Sequence, residues 1–248
     1  MNENVPEGDI LHSLTGHTIL KVGNRVVKSG PDLCAVEAKT LRFISANTTI
    51  PVPKLHDVHC EDGKVTKIVM DFMPGKPLQE AWKGMDSTRK QRVAEELHGH
   101  ISELRKLKGS YIGALGRGKA IIGKFSSLEG GPFDSEQEFN EFILVDMVRT
   151  APDLLRHYTK HALSGDHEIV STHGDFAPRN ILVDEEGYVT AFLDWESAGW
   201  YPEYWEYIRA FRHLKPMPDW PIYLALILPP KYEKEYIGMT FLNLFLRT

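Results

Sequence analysis

The feature that most constrains the fold of this 248-residue chain lies at residues 173–194. Ile181-Leu182-Val183 and Tyr188-Val189-Thr190-Ala191-Phe192-Leu193 are β-prone runs flanking Asp184-Glu185-Glu186-Gly187, and they read as a hairpin with a four-residue turn. Pairing of those runs sets Asn180, at the start of one strand, beside Asp194, at the end of the other, across fourteen residues of sequence. His173-Gly174-Asp175-Phe176-Ala177-Pro178-Arg179 leads into the ribbon and places a second carboxylate, Asp175, five residues before Asn180. Taken singly, Asp175 suits a turn and Asn180 a cap or an Asx-turn. Their order and spacing suit phosphoryl transfer, with Asp175 accepting a hydroxyl proton while Asn180 and Asp194 hold Mg²⁺ against nucleotide phosphates.

The first seventy residues read mostly as strands with one helix. Thr18-Ile19-Leu20-Lys21-Val22 and Arg25-Val26-Val27-Lys28 are joined by Gly23-Asn24, a two-residue hairpin signal. Ser29-Gly30-Pro31 ends the second run, and Asp32 is the expected N-cap of a helix through about Ser45. Leu33, Glu37, Leu41 and Ile44 share one face of that helix, so Glu37 is a carboxylate on an inward stripe. Such a group is costly unless a cation meets it. Pro51-Val52-Pro53 closes the unit, Val65-Thr66-Lys67-Ile68-Val69-Met70 makes another strand, and the breaker-rich 71–77 suits a linker.

Beyond the linker the periodicity becomes helical. Val93, Leu97, Ile101 and Leu104 mark an amphipathic helix from about Ser87 to near Gly109. Ser135 with Glu138 forms a capping-box pattern ahead of Phe139, Phe142, Ile143 and Met147, and Pro152 through Ala162 supports a third helix. The expected organisation is therefore a unit at 1–70, a linker at 71–77 and a second unit at 78–248.

A net charge of −5 gives no electrostatic reason for a nucleic-acid partner. Pro221 to Leu228 is apolar but stops at Pro229-Pro230, short of the roughly 20 residues a membrane span needs, and reads as a buried helix or packed loop. Cys34 and Cys60 show no disulfide or metal spacing, and Met1 to Val5 shows no signal-peptide pattern. A cytoplasmic protein is expected.

The stretch His173-Gly174-Asp175, with Asn180 and Asp194, resembles the catalytic core of the aminoglycoside phosphotransferase and choline kinase family, small-molecule relatives of the protein kinases. The resemblance runs from Lys28 to the aromatic segment after Asp194. In Gly131-Pro132-Phe133, Asp194-Trp195-Glu196 and Gly199-Trp200-Tyr201-Pro202-Glu203-Tyr204-Trp205-Glu206 it is closest to fungal members of unassigned substrate. It implies an α+β, two-lobed protein-kinase-like fold, with a small β-rich N-terminal lobe and a larger, mainly helical C-terminal lobe around ATP. Asp175 would orient and deprotonate the hydroxyl of a small molecule, and Asn180 and Asp194 would bind Mg²⁺. Lys28, held by Glu37, would reach the α- and β-phosphates. His173 would brace the catalytic loop, and backbone groups at Met70, Asp71, Phe72 and Met73 would meet the adenine.

The chain departs from that family in two respects. Ala177 stands two residues after Asp175, where many family members carry histidine and protein kinases usually carry lysine, so a cation is missing near the γ-phosphate. Arg179 is the candidate to replace it. There is also no G-x-G-x-x-G loop, and Leu14-Thr15-Gly16-His17 is the nearest segment to cover the phosphates. Residues 181–208 hold seven acidic side chains and no lysine or arginine. If the acceptor is cationic, Glu196, Glu203 and Glu206 are expected to meet it, with Trp200 stacking on it. The rival expectation, favoured by Ala177 and the short loop, is a catalytically weak or silent kinase-like nucleotide-binding module.

Overall fold

The structure, a computed structural model, describes residues 8–14, 16–31, 33–122, 129–145, 152–163, 165–211 and 217–243. Strands β1 (Asp9–Leu14), β2 (His17–Val22) and β3 (Arg25–Ser29) precede helix α1 (Ala35–Asn47), and β4 (Leu55–Glu61) and β5 (Lys64–Asp71) follow it. They form one antiparallel sheet in the order β1-β2-β3-β5-β4. The expected two-residue turn is present: Val22 pairs with Arg25, and Gly23 takes a φ of 62°, which costs glycine no Cβ clash.

Helix α1 starts at Ala35 rather than beside Asp32, which lies outside the described residues; Cys34 is its N-cap, without a side-chain cap bond. Its buried face carries Glu37, Ala38, Leu41 and Ile44, and it ends where Thr48 returns both its N–H (3.0 Å) and its hydroxyl (2.8 Å) to the Ile44 carbonyl. Strand β5 runs through Asp71, and the chain then crosses to β6 (Lys76–Pro77), which already pairs with the second lobe.

That lobe continues with α2 (Leu78–Ala81), α3 (Ser87–Leu104), β7 (Ala120–Ile121), β8 (Glu129–Gly130), α4 (Glu136–Val145) and α5 (Asp153–Ala162). Next come β9 (Ile169–Thr172), β10 (Ile181–Val183), β11 (Val189–Phe192), β12 (Gly199–Pro202), α6 (Trp205–Ala210), α7 (Trp220–Ile227) and α8 (Glu233–Asn243). Asp86 N-caps α3 by accepting the Arg89 N–H at 2.8 Å, and Val93, Ala94, Leu97, Ile101 and Leu104 form its buried stripe. The helix ends at Leu104, short of Gly109. Before α4, Ser135 accepts the Glu138 N–H (3.2 Å), while the Glu138 carboxylate reaches back to the N–H of Asp134 (3.0 Å). Met147 lies outside the described residues. The apolar run at 221–228 lies largely in α7, which buries Trp220, Leu224 and Ile227 and exposes Ile222. Among the described residues no helix is long and apolar enough to cross a membrane.

The lobes meet through α1 and the segment after it. Thr49 gives its N–H (2.7 Å) and its hydroxyl (2.8 Å) to the two carboxylate oxygens of Glu103 on α3, and Pro51 accepts the Phe192 N–H at 2.8 Å. Phe43 packs edge-on against Trp200, 5.6 Å between centroids.

His167 ties three helices together. Its Nδ1 lies 2.8 Å from Glu136 of α4, its Nε2 3.6 Å from Glu235 of α8, and its ring stands on Tyr204, which leads into α6. The Glu136 hydrogen bond, opposed by burial, raises the His167 pKa above the ordinary histidine value. A raised folded pKa stabilises fully below the unfolded value of 6.5 and is lost as pH rises through the folded one. His167→Gln is therefore expected to lower the unfolding midpoint more at about pH 6 than at about pH 8.5; equal deficits at the two pH values would refute the ion pair.

Candidate functional site

The β10–β11 ladder pairs Ile181 with Phe192 and Leu182 with Ala191, and the Leu193 N–H then bonds the Asn180 carbonyl at 2.8 Å. The ribbon thus delivers Asn180 and Asp194 to one end. Asp194 sits in the left-handed region (φ 63°, ψ 67°), sparsely used by residues other than glycine, which turns the chain sharply after the strand. Upstream, the His173 Nε2–H donates to the Leu193 carbonyl (3.0 Å), and Nδ1 accepts the Asp175 N–H (3.2 Å). Those two bonds fix the orientation of the ring and fit the tautomer with its N–H on Nε2. Gly174 is required here: at φ 78°, a Cβ would fall 2.3 Å from the Ser197 carbonyl oxygen.

The loop rests on α6. Glu206 accepts the N–H groups of His173 (2.6 Å) and Gly174 (3.2 Å), and Arg209 donates to the Gly174 carbonyl (2.7 Å) and that of Ile122 (3.1 Å). Both side chains are buried; burial raises the Glu206 pKa and lowers that of Arg209. This corrects the expectation that Glu206 meets an acceptor, because its oxygens are engaged by the loop it supports. Arg209 was not singled out by sequence reading. Its one available signal is its place one turn from Glu206 on a helix with both charges inward.

Two further acceptor candidates are corrected. Trp200 is buried against Phe43, and Gly109 lies so close beneath it that a Cβ would be 2.7 Å from its indole ring. Glu203 bonds Tyr232, Arg105 and Lys231. It lies past the Pro202–Ile169 end of the β9–β12 ladder, whereas the catalytic loop leaves the Thr172–Gly199 end, about 10 Å away at the rise of a strand. Despite its burial, hydrogen bonds from Tyr232 and Lys231 hold Glu203 below the ordinary glutamate range. Glu196 remains, half-exposed and 3.6 Å from Lys28.

Lys28 and Glu37 form the ion pair expected of them, at 2.8 Å, and both are buried. The Lys28 Nζ is also 3.5 Å from Asp194 Oδ1, a buried oxygen that accepts no hydrogen bond. Oxygens of Glu37, Asp194 and Glu196 all lie within 4.8 Å of one another. Three carboxylates around one ammonium leave excess negative charge. Burial would lower the Lys28 pKa, but the carboxylates, Glu37 foremost, raise it above the ordinary lysine value. Burial, with Asp194 and Glu196 adding repulsion, pushes Glu37 up to about 7 despite Lys28, and burial and Asp194 raise Glu196.

On the loop before β10, Asn180 Nδ2 donates to the Asp175 carbonyl (2.9 Å) and to its Oδ2 (2.8 Å). Arg179 turns its guanidinium onto the same Oδ2, and Ala177 is buried. At the linker, the Asp71 and Phe72 N–H groups are engaged by the carbonyls of Lys54 (3.0 Å) and Asn24 (2.9 Å), and the Asp71 carboxylate meets His56 (2.6 Å). Met70 is a buried residue of β5, paired with both neighbouring strands. Of the residues expected at the adenine, Met73 has an N–H with no acceptor among the described residues. The β1–β2 connection is short, with Gly16 at φ 111°; Thr15 lies outside the described residues.

A sequence profile of the phosphotransferase enzyme family matches residues 11–228. A search of the curated proteins finds no match. Among solved structures, the GDP and kanamycin complex of APH(2")-IIIa is similar over 99% of this chain and 84% of that one, at 11% identity and a TM-score of 0.62. The streptomycin–ATP–APH(2")-IIa ternary complex is similar over 96% and 91%, at 13% identity and 0.56. A thermostable mutant of the aminoglycoside phosphotransferase APH(4)-Ia in its apo form covers 97% and 94%, at 14% identity and 0.56. These likenesses establish the two-lobed kinase-like fold.

The clamp under the loop predicts a graded loss of stability. Glu206→Ala leaves two buried N–H groups unpaired and is expected to cost about 3 kcal/mol in urea unfolding, with Glu206→Gln costing about half as much. A near-zero cost for both would contradict the clamp.

Proposed function

The chain belongs to the phosphotransferase enzyme family, and on that premise we propose that it transfers the γ-phosphoryl group of ATP to a hydroxyl of a small molecule. The observation that carries the proposal is the convergence of buried Lys28–Glu37, Asp194 and the Asp175–Asn180 pair at the end of one ribbon. Asp175 orients the acceptor hydroxyl and finally takes its proton. The hydroxyl oxygen forms a bond to the γ-phosphorus as the bond to the leaving ADP oxygen breaks. Lys28, immobilised by Glu37, binds the α- and β-phosphates. Arg179 holds the Asp175 carboxylate and adds positive charge beside the reacting group.

Asn180 and Asp194 supply hard oxygen donors, the set Mg²⁺ takes. The Asp194 Oδ1, buried and accepting no hydrogen bond, and the excess negative charge around Lys28 fit a divalent cation. Held there, Mg²⁺ would neutralise charge on the nucleotide phosphates. Residues 1–70 form the nucleotide-binding lobe, 71–77 the hinge and 78–248 the catalytic lobe. Met70 to Met73 lie at the adenine, which takes its donor from Met73. Glu196 is the residue retained for a cationic acceptor. The similar structures carry ATP in one case and GDP in another, with kanamycin or streptomycin as the second ligand. We place the protein in the cytoplasm, where free Cys34 and Cys60 and an ATP supply are at home.

A second reading, a nucleotide-binding module with weak catalysis, is favoured by one observation: Arg179 occupies the carboxylate that has to accept the proton. Two variants separate the readings. Asp194→Ala is expected to abolish the Mg²⁺-dependent thermal shift with ATP. Asp175→Ala keeps that shift but loses at least about 100-fold in acceptor-stimulated ADP release. Full turnover by either variant on an identified acceptor would sink the transferase reading; a Mg²⁺-dependent shift with no acceptor in a broad screen of hydroxylated metabolites would favour the second.

A further inference from the structure

The catalytic loop offers the reacting phosphate no cation at Ala177, and its arginine is turned onto Asp175. Transfer spreads negative charge over the phosphoryl oxygens, which a preorganised donor must meet. The N-terminal lobe holds one. In the β2–β3 ladder Ile19 lies opposite Lys28, and residues two apart on a strand share a face. His17 therefore projects from the same face as Ile19 and Lys28, one diagonal step nearer the tip of the β1–β2 hairpin. Such a step spans about 7 Å, within reach of two long side chains.

The hairpin tip lies flat on β3. A Cβ on Gly30 would stand 2.1 Å from the Gly16 carbonyl oxygen and 2.8 Å from the His17 Cα. The imidazole is half-buried, and its nearest ring neighbour is His12, 6.3 Å between centroids. Neither ring nitrogen is hydrogen-bonded to a described residue, so an N–H is free to donate.

We propose that His17 hydrogen-bonds the transferred phosphoryl group from the N-terminal lobe, supplying the contact that Ala177 does not. The inference rests on the phosphotransferase reading and assigns a catalytic residue to it. A neutral imidazole suffices, since one N–H is the donor.

The test compares nucleotides that differ only in the terminal phosphate. Mg²⁺ complexes of a nonhydrolysable ATP analogue and of ADP are titrated calorimetrically into the full chain, its His17→Ala variant and its His17→Gln variant. His17→Ala is expected to weaken the ATP analogue roughly tenfold and to leave ADP unchanged, as befits one hydrogen bond to a charged group. His17→Gln, which keeps an N–H donor, should recover part of that loss. Equal weakening of both nucleotides, or no change in either, overturns the proposal while leaving the phosphotransferase reading intact. Failure of the unaltered protein to bind either nucleotide overturns both.

Discussion

One buried ammonium organises this molecule. Lys28 is surrounded by Glu37, Asp194 and Glu196, which belong to α1 and to the turn after β11. An ion pair of this kind contributes little net stability, because desolvation offsets the attraction, yet removing one partner leaves an uncompensated buried charge at about 3–5 kcal/mol. Its effect is to specify geometry. Strand β3 must face α1, and both must face Asp194, or a charge is stranded. The same arrangement leaves the group with surplus negative charge: burial first and neighbouring carboxylates second raise Glu37 and Glu196, and the carboxylates raise Lys28 against its burial.

The rest of the site is built by fixing main chain rather than by packing apolar surface. Asp194 is approached through Phe192 and Leu193, whose backbone is held by the Pro51 carbonyl, by Asn180 and by the His173 ring. The loop carrying Asp175 is gripped from below by Glu206 and Arg209. Hydrogen bonds of this type are directional, so they set the loop's orientation where a hydrophobic contact would tolerate sliding. The surrounding aromatic core, with Tyr201 stacked on Trp205 at 5.5 Å and Phe139 edge-on to Trp205 at 5.1 Å, keeps water from competing for those bonds.

Local pattern made much of this legible. The hairpin that joins Asn180 to Asp194 follows from two β-prone runs and a turn, and the inward Glu37 announced a cation before Lys28 was seen beside it. The amphipathic stripe of α3 and the Gly23 turn were equally readable, because each depends on residues a few positions apart. Acidic residues after β11 were harder to place. Glu196, Glu203 and Glu206 look alike in sequence, but one lies beside Lys28, one bonds Arg105 and Tyr232, and one is buried beneath the loop. Their partners come from β3, from Arg105 and Tyr232 beside α3 and α8, and from residues 173–174, and no local period encodes such distances.

By itself, then, the sequence determined the chemistry on offer: a carboxylate–carboxamide–carboxylate set on a ribbon, a strand lysine, and a helix carboxylate that demands it. Periodicity and turn propensity act over a few residues, and these features live at that range. Only the tertiary structure decided which charges face the cleft. It gave Glu206 and Arg209 to the loop's backbone, closed Trp200 against Phe43, and turned Arg179 onto Asp175. Those outcomes depend on which desolvated group finds a partner first across the fold, and burial is a property of the whole chain.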